Sequence, residues 1–287
     1  LSVIMSVSHG AIVFTDPTLP EPVHSLELFH NRNLSMRRLS ATSELTPLYQ
    51  GYGTHFSYVY VGTPPQRQSV IVDTGSHFTA FPCTGCAQCG KHTDEYFDMK
   101  KSSTCATSKC GNKACTIHQS YAEGSSWSAI KVTDKLWVGG LTADITPRGA
   151  SYAVDFGFGC QTSETGLFRT QLADGIMGFS MSDDTLPSQL FTKKITDTRV
   201  FAMCFRIGGG ILTIGGVNQR IHKSGTRGGG LALTYAKLLH PPGSVWYTVN
   251  LLDIMLEDHD RKNKPIPIGA TKNELNTGKG VIVDSGT

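Results

Sequence analysis

The chain has 287 residues, a mass of 31.0 kDa and a formal net charge of +3 at pH 7. Hydrophobic residues make up 39% and charged residues 17%, which is typical of a globular protein and excludes a disordered chain. The small net charge argues against a nucleic-acid partner, and no stretch reaches the roughly 18 apolar residues that a membrane-spanning helix needs.

The first 47 residues are predicted to form a leader or detachable arm. Residues 1–14 are apolar but too short to span a membrane, and they fit either the remnant of a secretory signal or an ordinary buried strand. Residues 15–47 are polar and turn-rich. Their basic pair, Arg37-Arg38, suits either a processing site or a solvated charge pair.

From Gly53 onward the pattern of period two predicts a mostly β protein. Predicted strands cover HFSYVYV, RQSVIVD, SYAVDFGFGC, VFAMCFRIGGGILTIGG and SVWYTVNLLDIMLED, and the fourth of these contains a glycine hairpin at 208–210. Only SDDTLPSQLFTKKI is predicted to be helical, with Ser182 or Asp183 as the N-cap. The absence of βαβ alternation excludes a Rossmann unit.

Eight cysteines are candidates for disulfide bonds: Cys83, Cys86, Cys89, Cys105, Cys110, Cys115, Cys160 and Cys204. Six of them lie within residues 83–115, a density typical of an oxidising compartment. The first three also match the start of a ferredoxin cluster motif, but Thr93 stands where the fourth ligand is needed. A zinc knuckle using His92 or His118 is the less favoured alternative. We expect disulfides, with no metal and no cofactor, and the sequence leaves their pairing open.

One short pattern occurs twice, as VIVDTGS at 70–76 and as VIVDSGT at 281–287. Each copy predicts a buried strand followed by a tight loop in which glycine lets the backbone approach the carboxylate. Asp73 and Asp284 are 284 − 73 = 211 positions apart, which suits two successive lobes that meet at an axis. Two close carboxylates share one proton, so one can activate a water while the other protonates a carbonyl oxygen. The pair therefore predicts hydrolysis of an amide by general acid–base catalysis.

In chain order, GTPPQ, VIVDTGS, QSYAEGS, ADGIMG and VIVDSGT resemble the pepsin-like aspartic proteases over residues 48–287. The resemblance implies an all-β, bilobal fold and an aspartic endopeptidase acting on peptide or protein substrates, with Asp73 and Asp284 as catalytic residues. The resemblance assigns support of the catalytic loops to Thr74, Gly75, Ser76, Ser285, Gly286 and Thr287. It assigns a flap over the substrate to Tyr121 and Gly124, and a strand that braces the first loop to Ile176, Met177 and Gly178.

The cysteine-rich insert at 83–115 is similar to that of nepenthesin-type proteases, and FPCTGCAQCG with QSYAEGS resembles the plasmepsin V-like branch. This branch implies the secretory pathway, either the endoplasmic reticulum or the extracellular space. The expected organisation is an arm at 1–47, an N-terminal catalytic lobe at 48–200 and a partial C-terminal lobe at 201–287. Pepsin-like proteases continue beyond the second loop, so we expect an incomplete second lobe, a chain that is not fully active as given, and a monomer when complete.

Several residues depart from the family pattern. Ala80 stands where many pepsin-like proteases have a tryptophan that binds the flap tyrosine, which leaves the support of the flap open. Glu123 and Trp127 are expected to be exposed. One of Cys105, Cys110 and Cys115 is expected to be free or paired outside the insert, and Cys160 to need a partner beyond residue 287. The alternative function is that of a catalytically inactive, inhibitor-like or binding protein, against which both aspartates and the flap tyrosine argue.

Overall fold

The computed structural model describes residues 44–139, 152–206, 208–216, 236–239, 243–256, 266–278 and 280–286, and the backbone of 11–14. The fold is mostly β, as predicted. The strands are β1 (Ala11–Phe14), β2 (Glu44–Gln50), β3 (His55–Val61), β4 (Gln66–Asp73), β5 (Thr79–Ala87), β6 (Ala106–Thr107), β7 (Lys109–Cys110), β8 (Lys113–Ala114), β9 (Thr116–Ser120), β10 (Ser126–Val138), β11 (Val154–Glu164), β12 (Gly175–Gly178), β13 (Phe201–Arg206), β14 (Gly209–Ile214), β15 (Thr248–Val249), β16 (Met255–Leu256), β17 (Ile266–Pro267) and β18 (Val281–Ile282). The helices are α1 (Leu186–Thr192), α2 (Lys272–Asn276) and two 3₁₀ turns (Met99–Lys101 and Gly166–Arg169).

Twelve strands belong to one mixed sheet in the order β1-β13-β14-β2-β3-β4-β12-β5-β11-β10-β6, with β9 paired to β10. An additional pairing between β3 and β10 closes β3, β4, β12, β5, β11 and β10 into a ring of strands. Closure of this kind leaves no free edge within the ring. The pairs β4–β12 and β5–β11 are parallel, which brings strands distant in sequence side by side.

Strand β4 explains the apolar triplet in front of the first aspartate. Val70 and Val72 pack into the larger core cluster, while Ile71 packs into a second cluster on the opposite face. Side chains alternate along a strand, so three consecutive apolar residues are required when both faces are covered. The triplet therefore marks a strand that is buried on both faces and ends at Asp73.

The predicted strands at 55–61, 67–73 and 151–160 are confirmed as β3, β4 and β11, although β11 begins at Val154 and extends to Glu164. The glycine hairpin between β13 and β14 is confirmed as well. Gly208 has a φ of +85°, which favours glycine at that turn. The long strand predicted for 244–258 is wrong, because only β15 and β16 form within it. Between these strands the Leu251 amide donates to the Asn276 side chain rather than to a neighbouring strand.

The helix predicted at 182–195 is confirmed, but it begins later than expected. Thr185 is the N-cap residue, so the prediction of Ser182 or Asp183 is wrong. The Ser182 hydroxyl instead accepts from the Asp184 amide within the preceding turn. Helix α2 was missed although Thr271 and Glu274 form a capping box, which is a recognisable Thr-x-x-Glu signal.

Three disulfides are present within the described residues: Cys83–Cys160, Cys86–Cys89 and Cys110–Cys115. The expectation that Cys160 needs a partner beyond residue 287 is wrong. Strands β5 and β11 are parallel neighbours, so Cys160 lies close to Cys83, with 5.4 Å between the Cα atoms. Cys105 is the unpaired cysteine among the three named above, and Cys204 is also free. These two were wrong as disulfide candidates.

The domain boundaries stay predictions. Strand β1, from the predicted arm, and strands β13 and β14, from the predicted C-terminal lobe, join the same sheet as β2 and β3. Arg37-Arg38 and Thr287 lie outside the described residues. Within the described part of the chain, no helix is both long and apolar enough to cross a membrane.

Candidate active site

The first aspartate loop follows β4 and is held by β12. These strands run parallel, with Met177 opposite Val72 and Gly178 opposite Asp73. Beyond the strand, the Phe179 amide donates to the Asp73 carbonyl over 2.7 Å. The predicted bracing residues Ile176, Met177 and Gly178 therefore lie directly beside the loop.

Gly178 is required by this close approach. A Cβ atom at position 178 would lie 2.5 Å from the carbonyl carbon of His77 and 2.6 Å from its Cα. Both contacts are with backbone atoms, which cannot move aside without shifting the loop itself. Glycine at this position thus lets β12 pack against the loop.

The two loops are joined by reciprocal hydrogen bonds. The Thr74 amide donates to Ser285 Oγ over 3.1 Å, and the Ser285 amide donates to Thr74 Oγ1 over 2.9 Å. Each hydroxyl also donates to the opposite strand, Thr74 to the Val283 carbonyl at 2.9 Å and Ser285 to the Val72 carbonyl at 2.8 Å. This symmetry fixes one loop against the other across the local axis.

The two carboxylates lie side by side at that axis. The Gly75 amide donates to Asp73 Oδ1 and the Gly286 amide donates to Asp284 Oδ1, both over 2.8 Å. A Cβ atom at position 75 would lie 2.5 Å from Asp284 Cγ, and one at position 286 would lie 2.9 Å from Asp73 Cγ. Each glycine therefore packs against the opposite aspartate, and a side chain at either position would push the carboxylates apart.

The two aspartates have unequal surroundings, since Asp73 is 4% exposed and Asp284 is exposed. Burial, followed by the charge of Asp284 and the hydrogen bond with it, raises the pKa of Asp73 to about 7. The Ser76 hydroxyl and the Gly75 amide partly oppose this rise in pKa. A proton is thus held on Asp73 through the acidic range.

The predicted flap is the hairpin of β9 and β10. At its tip the Tyr121 amide donates to the Ser125 carbonyl over 2.9 Å, and Gly124 has a φ of +96°. Burial raises the pKa of the Tyr121 phenol, and the charge of Asp73 adds to the rise. The phenol is therefore neutral and lies within the electrostatic reach of the aspartates.

Trp127 supports the flap tyrosine, a role for which the sequence alone indicated no residue. Its indole N–H donates to Tyr121 Oη over 3.1 Å, and the side chain is 1% exposed. The expectation that Trp127 is exposed is therefore wrong, whereas Glu123 is exposed as expected. Ala80 is buried in the same apolar cluster, on strand β5, which pairs with β11 and β12. The only available sequence signal was an indole within the flap hairpin.

Asp174 is a buried residue that sequence reasoning did not single out. Its carboxylate accepts from the Ser69 amide at 2.5 Å and from the Asp94 amide at 2.8 Å, so it ties β4 and the cysteine-rich insert to the start of β12. Burial and the charge of Asp174 raise the pKa of Asp94 to about 6. The residue therefore helps to place the bracing strand.

The two histidines considered as zinc ligands have other partners. His92 binds Glu164 and the Gln171 carbonyl, and His118 binds Ser128. Within the described residues, no group of three or more His, Cys, Asp or Glu side chains could hold a metal ion.

Comparison with known proteins agrees with this geometry. The family profile described as "Xylanase inhibitor N-terminal" matches residues 55–216. Aspartic protease 5 of Toxoplasma gondii is 36% identical over 201 residues, covering 58% of this chain and 20% of the relative. Aspartic proteinase 36 of Arabidopsis thaliana is 30% identical over 259 residues, covering 82% of this chain and 49% of the relative. Plasmepsin V of Plasmodium falciparum is 32% identical over 181 residues, covering 58% and 29%.

The chain thus spans half or less of the length of these relatives. The matched region contains the first aspartate loop, the flap and the bracing strand, and the proteins it resembles are named as aspartic proteases. The strand ring, the paired loops and the sequence matches agree, and this chain belongs to the pepsin-like aspartic protease family.

Proposed function

We propose that the protein is an aspartic endopeptidase that hydrolyses peptide bonds with a water activated between Asp73 and Asp284. The observation that carries the proposal is the facing pair of carboxylates, each held by a glycine amide and packed against the glycine of the opposite loop. Two carboxylates that lie side by side share one proton, so the pair supplies an acid and a base at one point.

The unequal burial of the pair assigns the starting roles. Asp73, which is buried, holds the shared proton, and Asp284, which is exposed, carries the negative charge. The oxygen of the water bonds to the carbonyl carbon of the peptide while Asp284 takes a proton from that water. At the same time Asp73 donates its proton to the carbonyl oxygen. The product of this step is a neutral diol.

The second step breaks the C–N bond and returns both aspartates to their starting protonation states. Asp73 takes a proton from one hydroxyl of the diol, the C–N bond breaks, and Asp284 donates its proton to the leaving nitrogen. The products are a carboxylic acid and an amine, and the dyad returns to its first protonation state. Neither step requires a nucleophilic side chain of the protein.

The remaining predicted residues have supporting roles in this proposal. Thr74 and Ser285 hold the loops in register, and the bracing strand fixes the first loop from behind. Tyr121, at the base of the flap tip, closes over the peptide and excludes water, and Gly124 provides the turn. Ser76 lies buried beside Asp73, and Thr287 is proposed to complete the second loop.

The proposal also covers the cellular compartment and the oligomeric state of the protein. The three disulfides and the similarity to a protein named plasmepsin V support a place in the secretory pathway. The proposed active form is a monomer, because both aspartate loops lie in one chain.

Incubation of the full-length protein with a mixed peptide library, followed by mass spectrometry of the products, tests the proposed activity. We expect cleavage that falls about 10²–10⁴-fold in both Asp73→Asn and Asp284→Asn, since each variant lacks one acid–base group. Asp155→Asn, at a surface carboxylate on β11, is the matched control and should cleave like the parent. Retention of peptides without products, in parent and variants alike, would favour the inhibitor-like alternative suggested by the family profile's description.

A further inference from the structure

We propose that His92 of the cysteine-rich insert is a positioning residue for substrate binding, because it fastens the insert to the cleft-wall segment, residues 164–172. The expected effect on KM for peptide cleavage rests on the proposed function. His92 takes no part in the acid–base mechanism, and the evidence for its role is the set of contacts between the insert and the cleft-wall segment.

The insert docks on the cleft-wall segment through consecutive residues. The Gly90 amide donates to Glu164 Oε2 over 3.3 Å, and Thr93 Oγ1 donates to the Leu172 carbonyl over 2.8 Å. Between them, His92 lies 3.4 Å from Glu164 Oε2 and 3.1 Å from the Gln171 carbonyl. The histidine therefore bridges the two ends of the segment.

Both ring nitrogens of His92 face acceptors. A carbonyl oxygen can only accept, and an ionised carboxylate can only accept, so the arrangement is satisfied when both nitrogens carry protons. The side chains of His92 and Glu164 are 0% exposed, and Glu164 Oε1 has no hydrogen-bond partner. A neutral imidazole could donate to only one of these two buried acceptors, which would leave either the Gln171 carbonyl without the ring N–H or Glu164 Oε2 with the Gly90 amide alone.

The charged groups around His92 favour the protonated ring. Burial lowers the pKa of His92, but the hydrogen bonds to Glu164 and the Gln171 carbonyl, with the charges of Glu164 and Asp174, raise it overall. Tyr96, on the insert, donates to the Gly90 carbonyl over 2.5 Å, and Lys91 is exposed. The contact between insert and wall is thus strongest when His92 is charged, and it weakens as the pH rises through the pKa of His92.

The cleft-wall segment in turn contacts the flap. The Leu167 amide donates to Ser125 Oγ over 2.9 Å, and the Ser126 amide donates to Thr165 Oγ1 over 2.9 Å. The rings of Phe168 and Tyr121 have their centroids 5.1 Å apart. Movement of the segment would therefore displace the Phe168 ring, against which the flap tyrosine packs. Through this contact, loss of His92 would alter the position of the flap and hence substrate binding.

Hydrogen–deuterium exchange of residues 164–172 tests the contact without any need for turnover. In the 287-residue chain, His92→Gln should speed exchange in this segment about tenfold or more at pH 5, the effect of losing a charge-assisted hydrogen bond. The difference should shrink at pH 8, where His92 of the parent has lost charge. His55→Gln, on β3 and in ring contact with Phe205, is the control and should leave the segment unchanged. Unchanged protection in His92→Gln at both pH values would overturn the proposal.

Peptide cleavage tests the consequence for substrate. His92→Gln should raise KM about tenfold at pH 5 with kcat nearly unchanged, and the pH dependence of KM seen in the parent should disappear. A fall in kcat with KM unaltered would show that His92 does not act on substrate binding and would refute that role. If the full-length protein cleaves no peptide, the proposed protease activity fails, and the exchange experiment still decides whether His92 fastens the segment.

Discussion

Replacing Asp73 by asparagine should stabilise the folded protein at neutral pH, because asparagine stays uncharged where the buried aspartate must ionise. Asp73 is 4% exposed, and burial followed by the charge of Asp284 raises its pKa to about 7, against 3.8 for the group in its ordinary state. The folded state therefore keeps a proton that the unfolded chain releases near pH 4.

The magnitude follows from this difference in proton binding. Between pH 4 and pH 7 the folded state binds one proton more than the unfolded state, so the free energy of unfolding falls by about 1.4 kcal/mol for each pH unit. Over the roughly three units between the two pKa values, the parent loses about 4 kcal/mol. Above pH 7 both states are ionised and the loss is complete.

Urea unfolding followed by circular dichroism, with disulfides intact, measures the effect at pH 4 and pH 8. The stability advantage of Asp73→Asn over the parent should be about 4 kcal/mol larger at pH 8 than at pH 4. Asp155→Asn is a control of opposite sign. The hydrogen bond from Lys135 lowers the pKa of Asp155, so this exposed pair stabilises slightly at neutral pH and the variant should be slightly weaker there. An advantage for Asp73→Asn that is equal at both pH values would refute the reasoning.

Three further results are expected. First, kcat/KM for peptide cleavage should fall about tenfold per pH unit above pH 7, as Asp73 loses the shared proton; a profile that rises from pH 7 to pH 8 would contradict this. Second, replacing Cys83 and Cys160 by alanine should lower the free energy of unfolding by about 4–5 kcal/mol, because the bond joins positions 77 apart, whereas loss of Cys110–Cys115, 5 apart, should cost about 2 kcal/mol. Equal losses in urea unfolding would count against the loop-length argument. Third, Trp127→Phe should reduce kcat/KM about tenfold by removing the donor to Tyr121, while Trp137→Phe should not, since the Trp137 Nε1 atom has no hydrogen-bond partner. An effect of Trp127→Phe that persists undiminished in a Tyr121→Phe background would show that the tryptophan does not act through the tyrosine.

Local patterns predicted much of the fold and the geometry of the candidate site. The alternation in β3 and β11, the apolar triplet in β4 and the glycine turn between β13 and β14 depend on neighbours within a few residues, and these elements form near where they are expected. The same holds for the loops at Asp73 and Asp284, since a buried strand followed by an Asp-Thr/Ser-Gly turn requires only a short stretch of chain.

Apart from the N-cap of helix α1, which is Thr185, the wrong predictions concern features that depend on distant partners. The alternating residues of 244–258 form only short strands, because alternation makes a strand only where another strand is present to pair with it. The position of Trp127 was also missed, since its burial depends on the neighbouring strand β11, which comes from later in the sequence.

By itself the sequence determined the β character, the family and the two aspartate loops, because these are written in short patterns of burial and turn chemistry. Tertiary structure alone decided that Cys83 pairs with Cys160, that Trp127 binds the flap tyrosine and that His92 bridges to Glu164. The order of strands in the closed ring brings together Cys83 and Cys160, which are 77 positions apart. Trp127 and Tyr121, 6 positions apart, meet within one hairpin, and His92 reaches Glu164 from the insert. The sequence contains those residues, but their proximity arises only when the strands have paired and the insert has docked.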